Sequence, residues 1–267
     1  MLSISIVTYK TEIETIARLI DSLKVAIGIL PTNYKVDKIS FVENSSSNKI
    51  TSNKFSTVLE NLDQSELIFT GSNLGYGAAH NIAIHQSNSK YHLLMNPDVI
   101  VNKYCLLNGI EYLEQNKNVV ALSPEVRNEQ GEVQGTTKSY PSVFDLVLRG
   151  IDSNKLNKMY ADRLSVYENR AIHNMKKIND VVLISGCFMF CRADILKQAG
   201  GFDKRYFLYF EDYSLSLELQ KYGFLRYLPT MEIAHSGGNA AKKGLKHIFY
   251  FVSSAIKFFN QYGWKIR

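Results

Sequence analysis

Two short acidic motifs carry the residue types that could do chemistry. The first is Asn96-Pro97-Asp98, which ends the apolar run Tyr91–Met95. Pro97 cannot donate to a sheet ladder, so the strand stops there. Asn96 and Asp98 then fall at the carboxyl end of a central strand, where open α/β sheets bind ligands. The same three residues also make an ordinary turn. The second motif is Glu211-Asp212, which follows the aromatic run Tyr206-Phe207-Leu208-Tyr209-Phe210 and opens a helix through Leu215, Leu219 and Tyr222. Acidic residues suit a helix N-terminus on dipole grounds alone. A carboxylate walled by Phe and Tyr, however, sits at low dielectric, where a general base is tuned. His235 follows a strand and precedes Gly237-Gly238; it is either a turn residue or a metal ligand to a site already holding Asp98. Lys242 and Lys243 follow closely enough to meet a diphosphate.

These residues need a sheet to bring them together. Residues 2–7 alternate into a strand ending at Thr8-Tyr9, residues 39–42 into a second ending at Glu43-Asn44 and a serine-rich loop (45–47), and residues 66–70 into a third. Between the first two, Thr11-Glu12-Ile13-Glu14 reads as a capping box with Thr11 as N-cap, and Ile13, Ile16, Ile20, Leu23 and Ile27 share one helical face. Strand, helix, strand with short links sets a right-handed parallel pair. Asn73-Leu74-Gly75-Tyr76-Gly77, with Asn81 beyond it, is a glycine-rich turn into a helix over 78–86. It superficially matches a dinucleotide fingerprint, but His80 stands at the third glycine position and the strand context is wrong, which excludes a nicotinamide enzyme. A helix over 104–115 and a strand over 119–123 follow. The polar ends Thr8-Tyr9, Glu43-Asn44, Thr70-Gly71 and Asn96-Asp98 then lie on one edge of a parallel sheet, a nucleotide-sized crevice with two carboxylates.

In the second half, residues 140–180 are polar and tyrosine-bearing with weak helical periodicity, an insertion that is mobile or faces an acceptor. Residues 181–191 read as one buried strand with Gly186 inside it. Cys187 and Cys191 would share a face of that strand; without a nearby His pattern, all three cysteines read as buried free thiols in a reducing compartment. Residues 193–199 form a short helix ended by Gly200-Gly201, and residues 225–229 and 231–234 two short strands. Leu245, Phe249, Val252, Ile256 and Phe259 make an apolar stripe on a basic, aromatic C-terminal helix, which docks on the body or lies in a membrane interface.

The 267 residues, 45% hydrophobic and 21% charged, suit one large α/β domain or two small ones. There is no apolar run of about 20 residues to span a bilayer, and the N-terminus lacks the regions of a secretory signal. No acidic residue follows Glu232, and the six lysines and arginines beyond it account for the whole net charge of +6. A basic end on a neutral body points to an anionic surface or ligand at that end. Such a clustered tail fits membranes better than nucleic acid.

Taken in order, these motifs resemble the GT-A-fold glycosyltransferases of family 2, and most the bacterial rhamnosyltransferases among them. The resemblance covers nearly the whole chain: Val7-Thr8-Tyr9, Glu43-Asn44, Asn73 to Gly77 with Asn81, Met95-Asn96-Pro97-Asp98, Gly186, Gly200-Gly201-Phe202-Asp203, Phe207 to Asp212, and His235-Ser236-Gly237-Gly238. Asn-Pro-Asp stands where many members have Asp-x-Asp. Glu43 stands in place of the usual aspartate, and lysines rather than arginine follow His235.

The resemblance implies an α/β GT-A fold: a Rossmann-like mixed sheet with flanking helices and a C-terminal amphipathic helix. It implies a transferase domain over 1–240 (nucleotide-binding half about 1–125, acceptor half about 126–240) and a basic helix over 241–267. It also implies inverting sugar transfer, dTDP-rhamnose being the suggested donor and a glycan or polyprenyl-diphosphate-linked sugar the acceptor, in O-antigen or capsule-type synthesis. Thr8, Tyr9 and Glu43 would hold the base, and Asn96 would lie near the ribose. Asn73, Gly75, Asn81 and Lys242 would complete the donor site. Asp98 and His235 would bind Mg²⁺ or Mn²⁺, and Asp212, beside Glu211, would deprotonate the acceptor. The protein would be cytoplasmic, peripheral on the inner face of the membrane through its C-terminal helix. Alternatives are a family-2 transferase using a UDP- or GDP-linked sugar, or a non-catalytic nucleotide-sugar-binding homologue. A nucleotidyltransferase would need a glycine- and arginine-rich loop after the first strand, which Thr8-Tyr9-Lys10-Thr11 does not provide.

Overall fold

The structure, a computed structural model, describes residues 1–46, 55–60, 62–151, 153–236 and 244–267. Apolar residues dominate the four strands of the first half: β1 (Leu2–Thr8), β2 (Val36–Glu43), β3 (Ser65–Phe69) and β4 (Tyr91–Met95). They pair in parallel in the order β3-β2-β1-β4. β1 and β4 are buried along their whole length, as expected of a parallel sheet covered on both faces. Their carboxyl ends therefore share one edge, as the strand-end reading requires. α1 (Ile13–Gly28) covers one face through Ile16, Leu19, Ile20, Leu23 and Ala26, and α2 (Tyr76–Gln86) lies against β1 and β2. The expected capping box is absent. Glu12 takes the N-cap position without a side-chain bond, because the Thr11 hydroxyl instead accepts from the Tyr9 backbone N–H at 3.3 Å.

Beyond β4 the sheet becomes mixed. β5 (Val99–Val101), which the sequence did not announce, follows the Asn-Pro-Asp turn. α3 (Cys105–Gln115) leads to β6 (Val119–Arg127), longer than expected, and a short β7 (Val133–Gln134) pairs back on it. After β8 (Thr137–Lys138), residues 143–175 form four short helices: α4 (Val143–Gly150), α5 (Asn154–Met159), α6 (Ala161–Tyr167) and α7 (Arg170–Met175).

The single strand expected over 181–191 is instead three pieces, β9 (Asn179–Val181), β10 (Leu183–Ile184) and β11 (Phe188–Arg192). The break falls at Ser185-Gly186-Cys187 because two of its donors leave the ladder. Ser185 N–H donates to Thr136 O at 3.1 Å, and Gly186 N–H to the Asp212 carboxylate at 2.9 Å. The break also separates the two cysteines: Cys187 joins the core beneath α1, Cys191 the core on the other face. All three cysteines are buried free thiols.

β11 runs antiparallel to both β4 and β6. After α8 (Ala193–Gln198) and α9 (Glu211–Leu219), the two strands expected over 225–234 prove to be one, β12 (Phe224–His235), with a register shift between Leu228 and Glu232. β12 pairs with β6 in parallel and with β5 and β9 antiparallel. α10 (Leu245–Tyr262) closes the chain. It docks, but not by the expected stripe. Phe251, Ser254, Ala255, Phe258, Phe259 and Tyr262 face the body, where the ring of Phe210 meets Phe251 and Phe258 at 5.2 and 5.3 Å. Leu245, Phe249, Val252 and Ile256 of the expected stripe are exposed. The helix has two apolar faces, and the one richer in aromatics is buried.

Candidate functional site

The site forms along the carboxyl edge of β1, β2 and β4. At one end Thr8 and Glu43, opposite each other in the β1–β2 register, are both buried, and the Thr8 hydroxyl donates to Glu43 Oε2 at 2.6 Å. The Ser45 hydroxyl donates to the other Glu43 oxygen. Tyr9 projects outward, about half exposed. Next to this pair Asn44, named in the sequence as a strand end but given no role, orders the glycine turn. Its amide donates to Asn73 Oδ1 and Gly75 O, both at 3.1 Å, and accepts from Leu74 N–H at 2.9 Å. Asn73 Oδ1 also accepts from Gly75 N–H at 2.9 Å. Gly75 has φ +88°, and a Cβ there would run into the Phe207 carbonyl, so the position requires glycine. Asn81 is buried and engages both ends of its amide with the Phe202 backbone, at 2.7 and 2.8 Å. It ties α2 to the backbone after Gly201.

The second group sits at the end of β4. Asn96 N–H donates to Cys187 O at 2.9 Å, which ties the Asn-Pro-Asp turn to the break before β11. The Asn96 amide lies 3.2 Å from His235 Nε2, so Asn96 stands beside His235. The same nitrogen lies 3.2 Å from Asp98 Oδ1. β5–β12 pairing, with His235 opposite Val99, makes this meeting possible. Asp98 and His235 are the pair that could take a cation. Among the described residues no group of three or more metal-ligating side chains occurs, so a cation here would draw its remaining ligands from phosphate and water, as Mg²⁺ and Mn²⁺ do. Lys242 and Lys243 lie outside the described residues.

The third group is Glu211-Asp212 at the start of α9. Tyr209 and Phe210 before it both adopt left-handed backbone, φ 68° and 63°, a conformation that costs a non-glycine residue about 1–2 kcal/mol. Asp212 is clamped by two backbone donors, Gly186 N–H and Tyr213 N–H, each at 2.9 Å. Burial pushes its carboxyl up, opposed by these two bonds. Glu211 is buried with one carboxylate oxygen lacking any partner among the described residues, and burial followed by the neighbouring Asp212 pushes it up to about 8. The charged form of Asp212 is thus the better supported of the two, with a backbone donor on each oxygen where Glu211 has one oxygen without a partner among the described residues.

Tyr76, also passed over, joins the second and third groups. Its hydroxyl donates to Gly186 O at 2.6 Å. Burial raises its pKa well above 10, with further contributions from Cys187, Glu211, Asp212 and Asp98. The Cys187 thiol is likewise pushed up to about 12, mainly by burial, with Asp212 and Asp98 adding. Asp98 and Asp212, 114 positions apart in the chain, are both tied to the Gly186-Cys187 break, the first through Asn96 N–H to Cys187 O and the second through Gly186 N–H. A signal for Tyr76 existed: an aromatic between two glycines at the mouth of the crevice.

Comparison with known proteins bears on this arrangement. The chain is 28% identical over 183 residues to the N-acetylglucosaminyl-diphospho-decaprenol L-rhamnosyltransferase of Mycobacterium tuberculosis (strain CDC 1551 / Oshkosh), covering 63% of this chain and 58% of that protein. It is 27% identical over 178 residues to the rhamnosyltransferase WbbL of Escherichia coli (strain K12), covering 62% of each. The chain thus spans less than two thirds of the length of these curated relatives. Among solved structures, GalNAc-T7 with UDP, GalNAc and Mn²⁺ superposes with a TM-score of 0.65 over 90% of this chain and 43% of that one, at 12% identity, a likeness of fold. The fold is GT-A. The profile of the family described as "Glycosyl transferase family 2" matches residues 3–197, the span that holds β1 to β4, the glycine turn and the Asn-Pro-Asp edge, and the chain belongs to that family.

Proposed function

We propose that the chain is an inverting, metal-dependent glycosyltransferase that moves a sugar, with L-rhamnose from dTDP-rhamnose as first candidate, to a hydroxyl of a lipid-diphosphate-linked sugar in cell-surface polysaccharide synthesis. The observation that carries this is that the break at Gly186-Cys187 ties both acids to one place: Asn96, two residues before Asp98, donates its N–H to Cys187 O, and Gly186 N–H donates to the Asp212 carboxylate. One carboxylate pairs with an imidazole at the strand edge, and the other is backed by two amides. The donor and acceptor classes are supported by the names of the rhamnosyltransferase relatives.

Asp98 and His235 would hold a divalent cation, whose charge offsets that of a nucleoside diphosphate. Thr8, Glu43 and the turn ordered by Asn44 would receive the nucleoside. Asp212 takes the proton from the acceptor hydroxyl. The oxygen then bonds to the anomeric carbon as the bond from that carbon to phosphate oxygen breaks, and the nucleoside diphosphate leaves with the electron pair. A base on the face opposite the leaving group gives inversion. The exposed apolar face of α10 and its lysines would keep the protein at the inner membrane surface, where such an acceptor lies.

The test is turnover of Asp212→Asn alongside thermal shift with nucleoside diphosphates, with and without Mn²⁺ or Mg²⁺. We expect metal-dependent stabilisation by dTDP in both proteins and a loss of transfer of about 10²–10⁴-fold in the variant. Stabilisation by UDP or GDP instead replaces the donor and keeps the transferase. Turnover within about tenfold of the parent removes Asp212 from its role.

A further inference from the structure

A cavity of about 630 Å³ is lined by residues of β7, β8, α4 and α7 and by Ser236, the residue after His235. Three cations face it on a single carboxylate. Arg170 meets Glu168 at 2.7 Å, Arg149 meets it at 3.1 Å and Lys138 lies 4.0 Å from it. Lys138 is nearly buried, yet both arginines remain about half exposed. His173, also buried, has an Nδ1 without a partner among the described residues. Burial, and then Lys138, push it down to about 4, so it adds no charge at neutral pH.

Two excess positive charges gathered over one carboxylate oppose one another and do little for stability by themselves. Lys138 registers that opposition: burial and then Arg149 lower it to about 8, despite Glu168. An anion in the cavity would relieve it.

The cavity is joined to both halves of the candidate site. The Arg149 guanidinium lies over the Tyr167 ring at 5.9 Å, the Tyr167 and Tyr213 hydroxyls are 3.1 Å apart, and Tyr213 N–H is one of the two donors to Asp212. On the other side, Ser236 N–H points at Asp98 O at 3.5 Å. Below, Thr136, the residue before β8, is tied to the break before β11 by Ser185 N–H to Thr136 O.

We propose that this cavity binds the diphosphate of the acceptor, through Arg149, Arg170 and Lys138, and so turns the attached sugar toward Asp212. The proposal rests on the transferase reading for the identity of the anion. A diphosphate carries the two or more negative charges that the cavity lacks, and planar guanidinium groups grip phosphate in forked hydrogen bonds.

The test uses inorganic pyrophosphate as probe, titrated by calorimetry into the full chain in EDTA, so that a metal-dependent donor site does not answer. The variant is Arg149→Gln/Arg170→Gln, whose half-exposed side chains can be replaced without opening the core. We expect the parent to bind and the variant to bind at least about tenfold more weakly, with nucleoside-diphosphate thermal shifts unchanged. Absence of binding to the parent, or equal binding by the variant, overturns the proposal. So does loss of the nucleotide shift in the variant, because the cavity would then serve the donor. The probe carries neither sugar nor nucleoside. A failed Asp212 test therefore leaves the pyrophosphate result standing, and the converse holds too.

Discussion

Glu211 and Asp212 are adjacent acids in one buried place, and the structure supports the charged form of Asp212 better than that of Glu211. Asp212 has two amide donors, and Glu211 keeps an unpartnered oxygen. Glu211→Gln substitutes a neutral group of nearly the same shape for a carboxyl that burial and Asp212 push up to about 8. The sign follows from linkage. A carboxyl raised in the folded state contributes stability that is fully present below its ordinary 4.5 and is lost as pH rises to about 8. At roughly 1.4 kcal/mol per pH unit this bounds the loss on the order of 5 kcal/mol, and relaxation of the site brings the expected value nearer about 2 kcal/mol. Glutamine has no such dependence. Urea unfolding of parent and variant at pH 5, 6, 7 and 8 should therefore show the variant gaining about 2 kcal/mol on the parent across the series. Transfer should persist, because Asp212 keeps its two amide donors. A difference that stays flat with pH refutes the reasoning, since Glu211 would then be charged in the fold. An inactive variant with intact nucleotide binding would make Glu211 the proton acceptor.

Acid should destabilise the protein earlier than its carboxylates alone predict. His92 is held down to about 3 and His173 to about 4, both chiefly by burial, with His80 also lowered; groups depressed in this way lend stability above pH 6.5 that is lost as pH falls, at roughly 1.4 kcal/mol per unit for each. The urea midpoint should fall steeply from pH 6.5 to 4, and a flat midpoint would mean that these rings are protonated in the fold. The outer face of α10 exposes Phe249 and Val252 beside Lys246. Phe249→Ser/Val252→Ser should weaken flotation with phosphatidylglycerol-containing vesicles at least about tenfold without lowering the melting temperature, each large apolar side chain being worth roughly 1.5–3 kcal/mol when buried. Unchanged flotation would assign this face to something other than lipid.

The parallel half of the sheet was legible because it rests on local patterns. Apolar runs of strand length end in polar residues, and the β1-to-α1 and β3-to-α2 links are short enough that neighbours in sequence are neighbours in space. The acids were legible because Pro97 stops a strand and aromatic residues lead into Glu211. What failed to show was decided by distant partners. The break at Ser185-Gly186-Cys187 exists because Thr136 and Asp212 take its donors, and nothing within 181–191 announces either. Thr11 lost its cap to a turn at Tyr9. The face of α10 was misread because two apolar stripes share one helix and only the shape of the body chooses between them. Lys138, Arg149 and Arg170 are spread over more than thirty positions of weak periodicity, so their meeting at Glu168 leaves no local pattern.

The strained pair Tyr209-Phe210 explains why a helix without site residues matters to the site. Both residues pay for left-handed backbone, and the structure must over-determine them for the turn to persist. On one side α10 does so. Phe210 lies among Phe251 and Phe258, the Tyr209 hydroxyl meets His247 Nδ1 at 2.8 Å, and the Ser254 hydroxyl donates to Leu208 O at 2.9 Å. On the other side the glycine turn presses in: Tyr76 N–H donates to Phe207 O at 3.1 Å, at the contact that forces glycine on position 75. The segment 207–210 is thus gripped between the glycine turn and the last helix, and the next residues are Glu211 and Asp212. The position of Asp212 therefore depends on both neighbours at once. A donor that orders the glycine turn and a surface that beds the outer face of α10 would each tighten the same turn, from opposite sides.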